Sequence, residues 1–160
     1  MSPRAAWRLE SLGFSRVYDY AAGKADWSAS GLPTEGGRAA SPRAGDLARR
    51  DVPTCRLMDH TGDIRRRVRA AGWEVCVVVN DARVVLGLLR PEPVDADPQM
   101  TAEQVMESGP STIRPHLLLD EVAQDMRKHG VESVLVTTSD GRLVGLLSRQ
   151  EAERRLEEPR

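Results

Sequence analysis

"STIRPHLLLDEVAQDMRKHGVESVLVTTSDGRLVGLLSRQEAE", Ser111 to Glu153, changes its hydrophobic period at every turn of the chain. Leu119, Val122, Ala123 and Met126 recur at the spacing of one helical face, and Gly130 stands where such a helix ends in a left-handed residue. The β-branched run "SVLVTT" follows, then Asp140-Gly141, the pair that suits a tight type I′ hairpin, then a second apolar run, "RLVGLL". "RQEAERRLEE" closes the unit as a further helix. Short strand, helix, strand, hairpin, strand, helix is an α/β plan.

The plan occurs twice. Gly72 and Gly130 stand 58 residues apart, and so do Gly87 and Gly145. At that offset no gap is needed from Asp63/Glu121 to Arg90/Ser148, and Arg69/Arg127, Glu74/Glu132, Val78/Val136, Leu88/Leu146 and Leu89/Leu147 are identical. A fixed offset that carries both glycines and apolar positions marks a duplicated supersecondary unit. In the first copy Ile64, Val68 and Ala71 form the helical stripe, and "VCVVV" and "RVVLGLL" are the strands. Between the copies, "TAEQVMES" has Thr101 and Gln104 at capping-box spacing and is read as a bridging helix. "LPTEGGRAASPRAGDLARRDVP" shows neither period and is read as a flexible linker, over residues 37–51.

Composition sets the outer bounds. Of 160 residues 40% are hydrophobic, 29% charged and 4% aromatic, which fits a globular chain with an aliphatic core. Net charge is −1, from 23 basic and 24 acidic residues, so no global basic field points to nucleic acid. No apolar run approaches the roughly 20 residues that span a bilayer, nor does the N-terminus resemble a signal peptide. The chain is read as cytoplasmic, with no membrane and no nucleic-acid partner. Cys55 and Cys76 lack CxxC spacing and are read as reduced, structural thiols. His60, His116 and His129 are scattered, so no metal site is expected. The arginines of "DIRRRVR" are read as a solvated helix face, and Trp73, just after Gly72, as a cap on the core.

Two units of this plan resemble a tandem pair of CBS domains, the Bateman module, with the first copy over 52–98 and the second over 99–158. The resemblance implies two β-α-β-β(-α) units packed with approximate two-fold symmetry, commonly a homodimer. It also implies a non-catalytic regulatory module that binds an adenosine-containing ligand between its repeats and signals to an unknown partner protein. AMP, ADP, ATP and S-adenosylmethionine are the ligands it implies. In "GLLSRQE" the family pattern places Ser148 on phosphate, at a helix N-terminus whose free N–H groups favour an anion, and Glu151 at the ribose position. Glu replaces the family's Asp or Asn there. Thr112 and Ile113 occupy the strand that in the family lines the adenine slot. Two plainer readings stand beside these: Ser148 and Glu151 are also at capping-box spacing, and Thr112 and Ile113 are also a β-branched strand start set by Pro110 and Pro115. The first copy has Arg90, Pro91 and Pro93 where the second has Ser148, Arg149 and Glu151, so its site is read as degenerate and one ligand per chain is expected.

Residues 1–36, "SPRAAWRLESLGFSRVYDYAAGKADWSASGLPTEG" at their centre, resemble the last third of a rhodanese-like domain, with Trp27 in its final turn. The family's persulfide cysteine would precede this stretch, and neither Cys55 nor Cys76 opens a loop into a helix. The remnant is therefore read as non-catalytic. A sulfurtransferase shortened by a misassigned start, or a structural dimerisation module with empty clefts, are the alternative readings.

Overall fold

A computed structural model describes residues 3–18, 27, 32, 35, 36, 41–90 and 97–158. Two compact units divide it, Met1–Ala40 and Ser41–Arg160. The first holds helix α1 (Pro3–Ser11), and Trp7, Leu12, Phe14 and Tyr18 are exposed. No residue among 13–18 is in a strand, and most of the expected strand and Trp27 turn lies outside the described residues. One nine-residue helix is common to many folds, so nothing among the described residues of this unit supports the rhodanese-like resemblance.

The second unit runs α2 (Ala44–Leu47), β1 (Thr54–Cys55), α3 (Thr61–Ala70), β2 (Cys76–Val79), β3 (Val85–Leu89), α4 (Ala102–Val105), β4 (Glu107–Ser108), β5 (Thr112–Ile113), α5 (Leu119–Lys128), β6 (Ser133–Thr137), β7 (Leu143–Ser148) and α6 (Arg149–Glu157). One sheet has the order β1-β2-β3-β4, the other β5-β6-β7. In each repeat the first two strands are parallel, joined across a helix, and the last two form an antiparallel hairpin.

The 58-residue offset governs the contacts as well as the elements. Arg43 bridges Leu118, and its counterpart Thr101 bridges His60. Arg49 bridges Leu146, and its counterpart Glu107 pairs with Leu88. Val84 bridges Arg142, its own counterpart, on the pseudo-two-fold axis. Each repeat therefore lends its leading helix to the other.

This corrects the reading of 37–51 as a flexible linker. Residues 37–40 lie outside the described residues, but Ala44 is fully buried, its N–H donates to Leu117 O at 2.9 Å, and Gly45 N–H donates to Pro115 O at 2.9 Å. The helix is only four residues long, too short to show a hydrophobic period. Its counterpart α4 is shorter than "TAEQVMES" suggests, although Thr101 N–H does donate to Gln104 Oε1 at 2.9 Å.

Both faces of each sheet are covered, which explains strands that are β-branched throughout rather than alternating. Cys76 and Val78 face Ile64 and Val68 of α3, while Val77 and Val79 face the other sheet, against Leu135, Leu143 and Leu146. In the second repeat Val134 and Val136 pack under Leu119, Val122, Ala123 and Met126 of α5. Ala71, expected in the stripe of α3, caps that helix and is exposed. Gly72 and Gly130 do adopt the left-handed region, at φ +68° and +66°. The expected type I′ hairpin is different. Gly141 has positive φ and Asp140 does not, and Gly141 N–H donates to Thr138 O at 3.0 Å, so the loop is a longer, three-residue one, a turn followed by a left-handed residue. Arg83, the counterpart of Gly141, takes the same conformation at φ +61°.

Candidate functional site

Ser148 ends β7, paired with Ser133, and is the N-cap of α6 with extended backbone. Its hydroxyl makes no bond to a helical N–H, so the capping box that its spacing with Glu151 suggests is not formed. Arg149 N–H is held by Glu132 O at 2.8 Å, and Glu151 in the first turn has its Oε1 3.6 Å from Arg154 Nη2. Thr112 and Ile113 form β5, two strands away across β6, about 10 Å at ordinary strand spacing. The four residues singled out in the sequence do not form one constellation.

What lies beside Ser148 and Glu151 comes instead from the other repeat. Arg49 exchanges backbone hydrogen bonds with Leu146, at 2.9 and 3.0 Å, on the free edge of β7. Its guanidinium carbon lies 4.1 Å from the centroid of the Trp73 indole, a cation–π stack. Its Nη2 and Nε donate to the two oxygens of Asp51 at 2.6 and 3.2 Å. The hydrogen bond to Asp51, reinforced by the charges of Asp51 and Glu151, raises the affinity of Arg49 for its proton. The reciprocal bond holds the Asp51 carboxyl below the usual carboxylate range. Trp73 is half-buried and touches both the core of its own repeat and the layer between the sheets. Its Nε1 is buried without a hydrogen bond of good geometry, and the Asp51 carboxylate is the acceptor whose charge feels it. Arg49, Asp51 and Trp73 were absent from the sequence-based site. Extending the 58-residue offset upstream, through Thr54/Thr112 to Ala44/Ala102, would have brought the Arg49 segment into the repeat.

The counterpart cleft is built differently. Arg90 stands in the position of Ser148, and its Nε is 3.0 Å from Oε2 of Glu107, the counterpart of Arg49. Gly109 and Val131 replace Asp51 and Trp73. Pro91 and Pro93 lie outside the described residues. Thr112 lines a cavity of about 360 Å³ with Gly109, Pro110, Arg114 and Asp140, along the chain that follows Glu107. Ile113 and Thr112 also border an apolar groove of about 490 Å³ beside α5, rimmed by Glu121, Asp125 and His129.

Cys55 and Cys76 lie side by side in β1 and β2, 3% and 1% exposed, both as free thiols. Hydrogen bonding between them draws the Cys55 thiol down and, with burial, pushes the Cys76 thiol far up, so Cys76 stays protonated and Cys55 is shielded by its burial alone. In the native protein both thiols should resist a disulfide-exchange reagent at pH 8 for hours and react at once in guanidinium. Rapid titration of either in the folded protein would contradict their structural role. Among the described residues no group of three or more His, Cys, Asp or Glu could hold a metal ion, and no helix is long and apolar enough to cross a membrane.

Residues 102–158 match the CBS domain. The chain is 29% identical over 119 residues to the arabinose 5-phosphate isomerase KpsF of Escherichia coli, which covers 69% of this chain but only 36% of that relative. The fold resembles the CBS domains of a transcriptional regulator from Streptococcus pneumoniae (TM-score 0.64, 23% identity, 70% of this chain and 97% of that one). It resembles the cytosolic domain of the Mg²⁺ channel MgtE in complex with ATP (TM-score 0.65, 22% identity, 71% and 48%). CBSX2 of Arabidopsis thaliana in complex with AMP is a third such structure (TM-score 0.63, 15% identity, 72% and 96%). At these identities the likeness is one of fold. The domain match and the fold together support a CBS domain module.

Proposed function

We propose that this chain is a non-catalytic regulatory module that binds one adenosine-containing ligand in the cleft flanked by Ser148 and Glu151. Two copies pair, and ligand occupancy is passed to a partner protein. The observation that carries the reading is the uncapped start of α6. The Ser148 hydroxyl and the first-turn amides beyond Arg149 are not spent on one another, so both remain for an anion. The ATP and AMP complexes of proteins with this fold support adenosine as the ligand class. The opposite cleft, where the Arg90–Glu107 ion pair takes the place of Ser148 and Arg49, supports one ligand per chain, with Thr112 and Ile113 on that side. The sulfurtransferase alternative gains nothing from the two thiols, both held inside a sheet.

Thermal melts with AMP, ADP, ATP and S-adenosylmethionine test the reading. A ligand at a hundredfold excess over its dissociation constant stabilises the fold by about 2.7 kcal/mol, an upward shift easily seen. Ser148→Ala and Glu151→Ala should abolish that shift. Because neither side chain caps the helix, each should change the ligand-free melt by less than about 0.5 kcal/mol, the range for surface substitutions. No shift with any adenosine compound at millimolar concentration would leave a dimerising scaffold as the function.

A further inference from the structure

Trp73 is the only aromatic residue in 41–160, the other five all lying within the first 27 residues. Its exposed ring surface is covered by a cation from its own chain, Arg49, which Asp51 holds in place through both carboxylate oxygens. The arrangement buries the indole N–H beside Asp51 and brings a second carboxylate, Glu151, within charge reach of the same guanidinium. In the counterpart cleft the platform is absent, with Val131 for Trp73 and Gly109 for Asp51. A flat cation on an indole face is the geometry a flat heterocycle also adopts, and both gain from the same ring surface.

We infer that Arg49 is a resident stand-in for the ligand's ring: a planar base displaces it from Trp73, and the freed guanidinium turns from Asp51 onto the ligand's phosphate. The inference rests on the proposed adenosine site and specifies its chemistry. A phosphate brought beside Asp51 and Glu151 meets two carboxylates; Arg154 already pairs with Glu151, and release of Arg49 from Asp51 supplies the further compensating charge. The cleft therefore selects a nucleotide over an uncharged nucleoside, because the nucleoside displaces Arg49 without offering it a new anion. Asp51 acts as the latch, competing with the phosphate for the same guanidinium.

The experiment measures adenosine, AMP and ATP affinities by calorimetry on the full chain, with tryptophan emission followed in parallel. Ligand-free melts of each variant check the fold, since the Arg49 backbone bonds to Leu146 survive a side-chain change. Arg49→Gln should weaken ATP about tenfold, the worth of one charge-assisted contact, while adenosine binding is unchanged or tighter. Asp51→Asn should tighten ATP several-fold, and Trp73→Leu should weaken all three ligands. Emission should change on binding in the wild-type protein and not in Trp73→Phe. Should ATP and adenosine bind equally, with neither Arg49→Gln nor Asp51→Asn altering either affinity, the inference is overturned and the adenosine site stands. Should neither the wild type nor any variant bind an adenosine compound, the site itself falls and the inference with it.

Discussion

Replacing Gly145 with alanine lowers the melting temperature by about 10 °C, whereas the same change at Gly87 costs about 4 °C. A Cβ on Gly145 would lie 2.5 Å from Arg49 O, 2.9 Å from its carbonyl carbon and 3.1 Å from that of Ala48, all main-chain atoms. Nothing there is free to rotate aside, so the bridge between Arg49 and Leu146 must open. Overpacking of this kind costs about 3 kcal/mol, and a domain of this size loses roughly 4 °C per kcal/mol. At Gly87 the two nearest atoms belong to the Met106 side chain, which can swing away, and the main-chain Glu107 O stands at 3.0 Å rather than 2.5 Å, so a smaller cost of about 1 kcal/mol is expected. Circular-dichroism melts of the two variants decide it. An equal loss at both sites would mean that the Arg49 segment is no more rigid than a methionine side chain.

A larger effect follows removal of the first repeat's leading helix. A fragment beginning at residue 41 keeps α2, and one beginning at Asp51 loses it. The shorter fragment uncovers Leu119, Ala123, Leu147 and Ala152, the cluster in which Ala44 and Ala48 are buried, and it also frees the edge of β7. Two buried alanines, the packed Leu47 and five interrepeat backbone hydrogen bonds amount to at least about 4 kcal/mol. The shorter fragment should melt about 15 °C or more below the longer one, or fail to fold. Equal melting temperatures would restore 41–50 to the status of a linker.

The repeat was legible because its signal is carried by positions that tolerate few alternatives. Gly72 and Gly130 take left-handed backbone, Gly87 and Gly145 admit another segment of the chain at close range, and the Val and Leu runs are buried on both faces. The helix stripes of α5 and the short strand at Thr112 were legible for the same reason. The Ala44 helix was not, since a single turn has no period and its Gly, Pro and Arg neighbours look like a tether. The proposed site was half legible. Ser148 and Glu151 belong to a local pattern, but Arg49, Asp51 and Trp73 reach them only through the exchange between repeats, a fact of topology that no short window contains. Thr112 and Ile113 were placed beside them by the family pattern, whereas β5 and the Arg49 segment flank opposite edges of the second repeat's sheet.

The exchanged leading helices also dictate how the molecule comes into being. Arg43 and Ala44 meet Leu118 and Leu117, and Arg49 meets Leu146, so the segment made early is satisfied only by residues made late. On a ribosome adding about 5–20 residues per second, Arg49 waits roughly 5–20 s for its partner. Neither repeat can complete itself during that interval. The first repeat likewise stays open until Ala102 arrives to cover Ile64 and Leu89. Long-range closure of this kind raises contact order and slows folding relative to a chain whose repeats close one at a time. The pair is thus the smallest unit that can be born, lost or inherited whole.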